Sequence, residues 1–227
     1  MKFYRLILII SASLTAAAAL SHLVADQRLL AFLDLAVVGL ILVVYLLLRY
    51  PKRIIFRSSA AALAVAYVIV VLFAYQTSIR TTSLGWAIAG AITSTAILGS
   101  VNLAMLLGHW YLVVRGMSID PLIRLTKALL VCSVAKLLCV GLVLMSVGGG
   151  FEYGDPLHRI MIANGIFFWM RVGWGLAGPL GLYPMIWGTV KIRSTMAATG
   201  ILYVAVVAVV IGEVLGLYLS ALLNLAL

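Results

Sequence analysis

Apolar residues along this chain do not alternate with polar ones; they come in long, nearly unbroken runs. Crossing a bilayer takes about 20 mostly apolar residues, at 1.5 Å of helical rise each over roughly 30 Å of hydrocarbon. Seven runs meet that length: 5–24, 29–48, 59–77, 84–114, 122–147, 160–190 and 195–223. None has the period of two of a barrel strand, and each exceeds the ~9–11 residues such a strand needs. The pattern predicts an all-α, polytopic integral membrane protein. Residues 1–227 form a single bundle of seven transmembrane helices, since the longest connection, 148–159, is too short for a further domain.

Two of the runs carry extra detail. The first, with Lys2 and Arg5 ahead of an apolar stretch and small residues, resembles a signal peptide in outline. Its full span length makes it a retained helix or an uncleaved signal anchor. The sixth contains Pro179 and Pro184 among Gly173, Gly175, Gly178 and Gly181. A kink or break is expected there, because each proline removes a backbone donor and crowds the preceding turn.

Composition agrees with the pattern. The chain is 65% hydrophobic and 10% charged, with a mean hydropathy of +1.22. A soluble domain carries about 45–50% apolar and about 25% charged residues, so a water-soluble fold is excluded. The formal net charge of +10 then reports orientation. With seven spans, Lys2, Arg5, Arg49, Lys52, Arg53, Arg57, Arg115, Arg124, Lys127, Lys191 and Arg193 fall on one side. Only Arg28, Arg80 and Arg159 fall on the other. The positive-inside rule puts the N-terminus in the cytoplasm and the C-terminus outside, in the inner or plasma membrane of the cell. No soluble basic face exists to read nucleic acid, and nucleic acid is not an expected partner; the bilayer is.

Small residues four apart let helices approach closely in lipid. Ala87, Ala91, Thr95 and Gly99 form one such stripe and Ala208, Gly212, Gly216 and Ser220 another, so the fourth and seventh helices are expected at the centre of the bundle. Trp86, Trp110, Tyr111, Tyr183 and Trp187 lie near span ends, where aromatic rings anchor at the interface.

Ionisable groups inside spans are costly and point to function by default. Lys136, Arg171 and Glu213 lie deep in their runs, and Asp34 sits nearer the outer face of the second. Arg171 and Glu213 lie at nearly equal offsets on either side of the short turn at 191–194. On straight antiparallel helices they reach one depth, so a buried ion pair is expected, with Lys136 and Asp34 as further members. Such a pair serves either chemistry or the locking of the bundle.

The three histidines are candidates for haem ligation, since haem b needs an axial imidazole. His22, one helical turn before Asp26, and His158, three residues after Asp155, share the outer side and can converge on one haem. His109, in Gly108-His109-Trp110-Tyr111, is on the opposite side and can serve only a separate cofactor. The commoner role for each is that of a hydrogen-bonded interfacial residue. No two histidines stand at metal-ligand spacing on one helix, and no metal site is expected. Cys132 and Cys139 are about 10 Å apart along their helix, too far for a disulfide. Gly173-Trp174-Gly175-Leu176-Ala177-Gly178 spells a dinucleotide fingerprint. That motif needs a strand before it, so inside an apolar span it reads as helix packing or local unwinding. No Walker A, H-E-x-x-H or G-x-S-x-G sequence occurs, and no lysine in the last helix can hold retinal.

The sequence assigns no catalytic residue. The leading expectation is a membrane subunit of a redox or respiratory complex, or a small cytochrome, binding haem b or meeting quinone beside partner subunits. The alternatives are a proton-coupled transporter or channel using Lys136, Arg171 and Glu213, since interrupted helices form midplane sites, and a non-catalytic scaffold or assembly protein.

Overall fold

The computed structural model describes residues 35, 37–39, 41–42, 84–114, 116–147 and 155–223. The chain divides into two compact units, Met1–Thr77 and Ser78–Leu227. In the first, the described residues are helical, while the expected spans 5–24 and 59–77, most of 29–48, and with them His22 and Asp34, lie outside the described residues.

All regular secondary structure among the described residues of the second unit is helical, with no strand. Its elements are α1 (Leu84–Val113), α2 (Asp120–Val147), α3 (Pro156–His158), a π segment π1 (Arg159–Ala163), α4 (Gly165–Met170), a second π segment π2 (Arg171–Ala177), α5 (Gly178–Lys191) and α6 (Thr195–Leu223). Three helices here are long and apolar enough to cross a membrane: Gly85–Val113, Asp120–Val147 and Thr195–Leu223. They coincide with the expected spans 84–114, 122–147 and 195–223.

The expected span 160–190 is not one regular helix. It passes from π1 through α4 and π2 into α5. In the first widened turn the amide of Asn164 donates to the carbonyl of Arg159, five residues back, at 3.1 Å, and the Asn164 side chain donates to the same oxygen at 2.8 Å. The second widening ends where Pro179 enters. A proline ring crowds the carbonyl four residues before it, here that of Gly175. A wider turn relieves that crowding, and α5 restarts at Gly178 with Pro179 in its first turn, where no intrahelical amide is needed. The fingerprint-like glycines thus lie in a distorted helix, as packing and unwinding sites.

Tight turns set the helices antiparallel. α1 runs into α2 through a turn in which Gly116 takes φ +82°, open to glycine without strain. The Tyr111 hydroxyl donates to the Ser118 carbonyl, and the Ser118 hydroxyl donates to Asp120 at 2.6 Å. That fixes the start of α2, whose Asp120 complements the positive end of the helix dipole. α5 closes on α6 in a Schellman turn, with Ser194 N–H bonded to Thr189 O at 2.9 Å and Arg193 N–H to Val190 O at 3.0 Å. Arg193 holds φ 59° at the position that glycine usually fills.

The long elements close into a ring: α1 packs on α2, α2 on α5, α5 and π2 on α6, and α6 on α1. α6 takes the central place, touching α1, α4, π2 and α5, whereas α1 packs chiefly on α2 and α6. Buried positions follow a 3.5-residue period. On α2 the seam is Leu122, Thr126, Leu129, Ser133, Lys136, Val140 and Val143, with Cys139 buried beside it. On α6 the seam is Ala198, Leu202, Ala205, Val209, Gly212, Gly216 and Leu219, the spacing of left-handed helix pairs. The four-apart stripe of α6 is buried at every position, because neighbours cover a wide face of that helix. On α1 the stripe leaves the interface: Ala87 and Ala91 are buried, Thr95 is half-buried and Gly99 is exposed. Each four-residue step turns about 40° around a 3.6-residue helix, so a straight stripe drifts off a narrow contact. Outward faces are apolar too, with Val131, Leu138 and Met145 on α2 and Val207, Val214 and Leu217 on α6 exposed. Such a surface suits hydrocarbon.

Candidate functional site

At the middle of the ring, each of its four sides contributes one polar side chain. Ser94 lies ten residues from the start of α1, Lys136 eleven from the end of α2, and Glu213 ten from the end of α6. At 1.5 Å per residue all three are about 15 Å from the same end of the bundle. Arg171 reaches this level from the opening of π2.

The ion pair expected from equal offsets is present. Arg171 Nη1 donates to Glu213 Oε1 at 2.9 Å. Lys136 Nζ donates to the Ser94 hydroxyl at 2.9 Å, and that hydroxyl helps to hold the charge of the neighbouring Glu213 carboxylate. A hydroxyl carries one donor and two acceptor sites, so Ser94 can accept from the lysine and donate to the carboxylate at once. Lys136 also interacts electrostatically with Glu213. Burial is nearly complete: Lys136 is 0% exposed, Arg171 1% and Glu213 5%.

The fit of Arg171 depends on glycine. A Cβ added at Gly216 would stand 2.7 Å from Arg171 Nε and 2.8 Å from Cζ, so only glycine lets the guanidinium lie flat against α6. One turn away a Cβ on Gly175 would meet the Gly212 Cα at 2.5 Å. There π2 and α6 cross backbone to backbone. Above the cluster, Val140, Val143, Ile160, Phe168, Leu176 and Leu219 form a dry apolar layer. Toward the other end Lys127 Nζ lies 5.6 Å from the centre of the Trp187 ring, and Trp187 stacks on Tyr183.

The arrangement leaves two donors over. Arg171 Nε and Nη2 are buried and have no hydrogen-bond partner among the described residues. Among the described residues two buried cationic side chains share one carboxylate.

Compared with known protein families, curated protein sequences and solved structures, the chain matches none. The geometry therefore stands alone.

The described histidines do not join this cluster. His109 is exposed near the end of α1, with its Nδ1 3.3 Å from the Tyr203 hydroxyl. His158, half-buried in the short α3, interacts with neighbouring groups, as Asp155 does. The whole of α2, about 40 Å at helical rise, separates the ends of the bundle where they sit, so the two cannot share one haem. Among the described residues no three His, Cys, Asp or Glu side chains gather as a metal site. Both cysteines are free thiols on α2.

Sequence reading singled out three of the four cluster residues. It missed Ser94, one of many serines and threonines in apolar helices and without charge to mark it. Its position ten residues into α1, at the depth of Lys136 and Glu213, is the signal that was available. A second feature also escaped it: an apolar groove of about 700 Å³ between π2, α5 and α6, lined by Trp169, Met170, Trp174, Leu182 and Val204 among others.

Proposed function

We propose that this chain is an integral membrane transporter or proton-coupled channel, with Ser94, Lys136, Arg171 and Glu213 as its working site. The observation that carries this reading is a buried, ion-paired cluster ten to eleven residues inside one end of the long helices, where the neighbouring helix leaves the α register. Charges at that depth are costly and concentrate on ion and proton pathways. π-helical turns recur at functional sites, and interrupted helices frame midplane sites in transporters. In this reading Glu213 exchanges protons or cargo while Lys136 and Arg171 hold its charge. The membrane is the inner or plasma membrane, crossed seven times with the N-terminus cytoplasmic and the C-terminus outside, as the distribution of lysine and arginine suggests.

The test is reconstitution of the full chain into vesicles loaded with a pH-sensitive dye. Wild-type vesicles should dissipate an imposed pH gradient, and Glu213→Gln should abolish the flux. Wild-type vesicles as tight as protein-free ones would remove the reading.

One observation favours a second reading, a redox subunit meeting quinone or haem b beside partner subunits. The groove at Trp169 and Trp174 has the size and apolar lining for a ring-bearing lipid-soluble molecule. The redox reading expects a Soret band from the purified protein or a shift of tryptophan fluorescence on adding a short-chain quinone. A haem version expects His22→Ala or His158→Ala to diminish the Soret band, with His109 as the ligand if neither does.

A further inference from the structure

The unpaired edge of Arg171 has a defined chemistry. A guanidinium presents Nε–H and one Nη2–H side by side, spaced to meet two oxygens of one carboxylate or phosphate. In this protein the other nitrogen, Nη1, is taken by Glu213, and one face of the plane lies against the glycine backbone at Gly216. The Nε and Nη2 edge remains, buried and unsatisfied among the described residues. Next to it the charge is unbalanced among the described residues, where Lys136 and Arg171 share the single carboxylate of Glu213. Unpaired buried donors and an unmatched buried cation are both unfavourable, and one ligand would resolve both.

We propose that the cluster binds a small oxyanion, a carboxylate or a phosphate, in bidentate fashion on Nε and Nη2 of Arg171, with Lys136 supplying the second positive charge. This deepens the transport reading and rests on it for the route by which the anion arrives. Glu213, while ionised, holds Nη1 and so fixes the plane of the fork; the proton it exchanges in the transport reading releases that hold. The depth of the cluster selects the source. About 15 Å of helix separates it from the nearer end of the bundle, and in helices about 42–45 Å long that places it below the surface of a ~30 Å hydrocarbon layer. A lipid headgroup belongs at the surface of that layer, so the ligand is a water-soluble anion.

The experiment uses the full chain in neutral detergent, immobilised, with retention of radiolabelled acetate, inorganic phosphate and chloride measured at constant ionic strength. Acetate or phosphate should be retained in preference to chloride, which has one centre and cannot use the fork. Arg171→Lys keeps the charge and removes the paired donors, and should weaken retention about tenfold or more. If that variant does not fold, Lys136→Gln should weaken retention while leaving the fork. A wild-type protein that holds neither oxyanion above chloride overturns the proposal, and so does undiminished retention in a folded Arg171→Lys. Addition of phosphatidylglycerol to the detergent should not displace the anion; displacement would make the ligand a headgroup and overturn the assignment to a soluble anion. The vesicle assay separates the two readings. Retention without flux supports the site and refutes transport. Flux indifferent to acetate and phosphate supports transport and refutes the site.

Discussion

Removing Glu213 should cost far more stability than removing Arg171, although the two form one ion pair. The reason is the third charge. In Glu213→Leu, Lys136 and Arg171 both remain buried with no carboxylate beside them among the described residues. Breaking a buried pair in this way typically costs about 3–5 kcal/mol. In Arg171→Leu the survivors are Lys136 and Glu213, still opposite in charge and still attracting each other. At an effective dielectric of about 20 and a charge separation of roughly 6 Å, such a pair still attracts by about 3 kcal/mol. What is lost is one charged hydrogen bond, about 1.5–3 kcal/mol, and what is gained is relief of two unsatisfied donors, about 1–3 kcal/mol each. The net cost of Arg171→Leu should therefore stay below about 2 kcal/mol. The double variant should recover part of the Glu213→Leu loss, with a coupling energy of about 0.5–3 kcal/mol. Detergent unfolding followed by a thiol-reactive dye measures this directly, because the buried Cys139 becomes reactive on unfolding. Arg171→Leu costing as much as Glu213→Leu, or strict additivity in the double variant, would refute the three-charge account.

Two further outcomes follow from packing and topology. Gly175→Ala should destabilise by about 1–3 kcal/mol through overpacking against the Gly212 backbone, whereas Gly181→Ala, with open space around its Cβ, should be neutral or stabilising by about 0.5–1 kcal/mol; the same unfolding assay decides, and equal effects would argue against the backbone crossing. In a background lacking Cys132 and Cys139, single cysteines replacing Met117 and Ile192 should be labelled by an impermeant reagent from one side of the membrane and one replacing Asp155 from the other, since α1, α2, α5 and α6 run antiparallel; labelling of all three from one side would contradict the ring.

The long helices were legible because length and hydropathy suffice for them: three expected spans coincide with α1, α2 and α6 within two residues. The Arg171–Glu213 pair was legible for a related reason. A turn of three residues forces α5 and α6 to be antiparallel neighbours, and counting from it gives depth. Counting worked although the helix is distorted between Arg171 and Ala177, because seven residues of altered rise move a long side chain by less than its own reach. The distortion itself was visible only as the proline and glycine that provoke it. Whether a chain kinks, breaks or widens at Pro179 depends on what packs against the preceding turn, and here that is the backbone of Gly212, 37 residues later. A contact so remote leaves no local mark.

Which residues face inward was harder to read, and the reason bears on the site. In lipid both faces of a helix are apolar, so hydrophobic periodicity fades, as on α1, where outward Ile92 and inward Ile97 are equally hydrophobic. The small-residue rule found the buried face of α6 and lost that of α1 after Ala91. A 3.5-residue reading keeps it: Ala87, Gly90, Ser94, Ile97, Val101, Ala104, Gly108 and Tyr111 fall on one seam. Ser94 is on that seam, at the level of Lys136 and Glu213. The same period carries Lys136 on α2, while Glu213 stands beside Gly212 on the seam of α6. The polar cluster is thus no decoration added to the packing. Lys136 occupies a position where the repeat calls for an apolar side chain, and Glu213 is held beside it by the glycines that let π2 approach. A charge introduced at such a seam survives only if the facing helices answer it at the same depth. That condition ties Ser94, Lys136, Arg171 and Glu213 into one unit, in which a change at any of the four alters the setting of the other three.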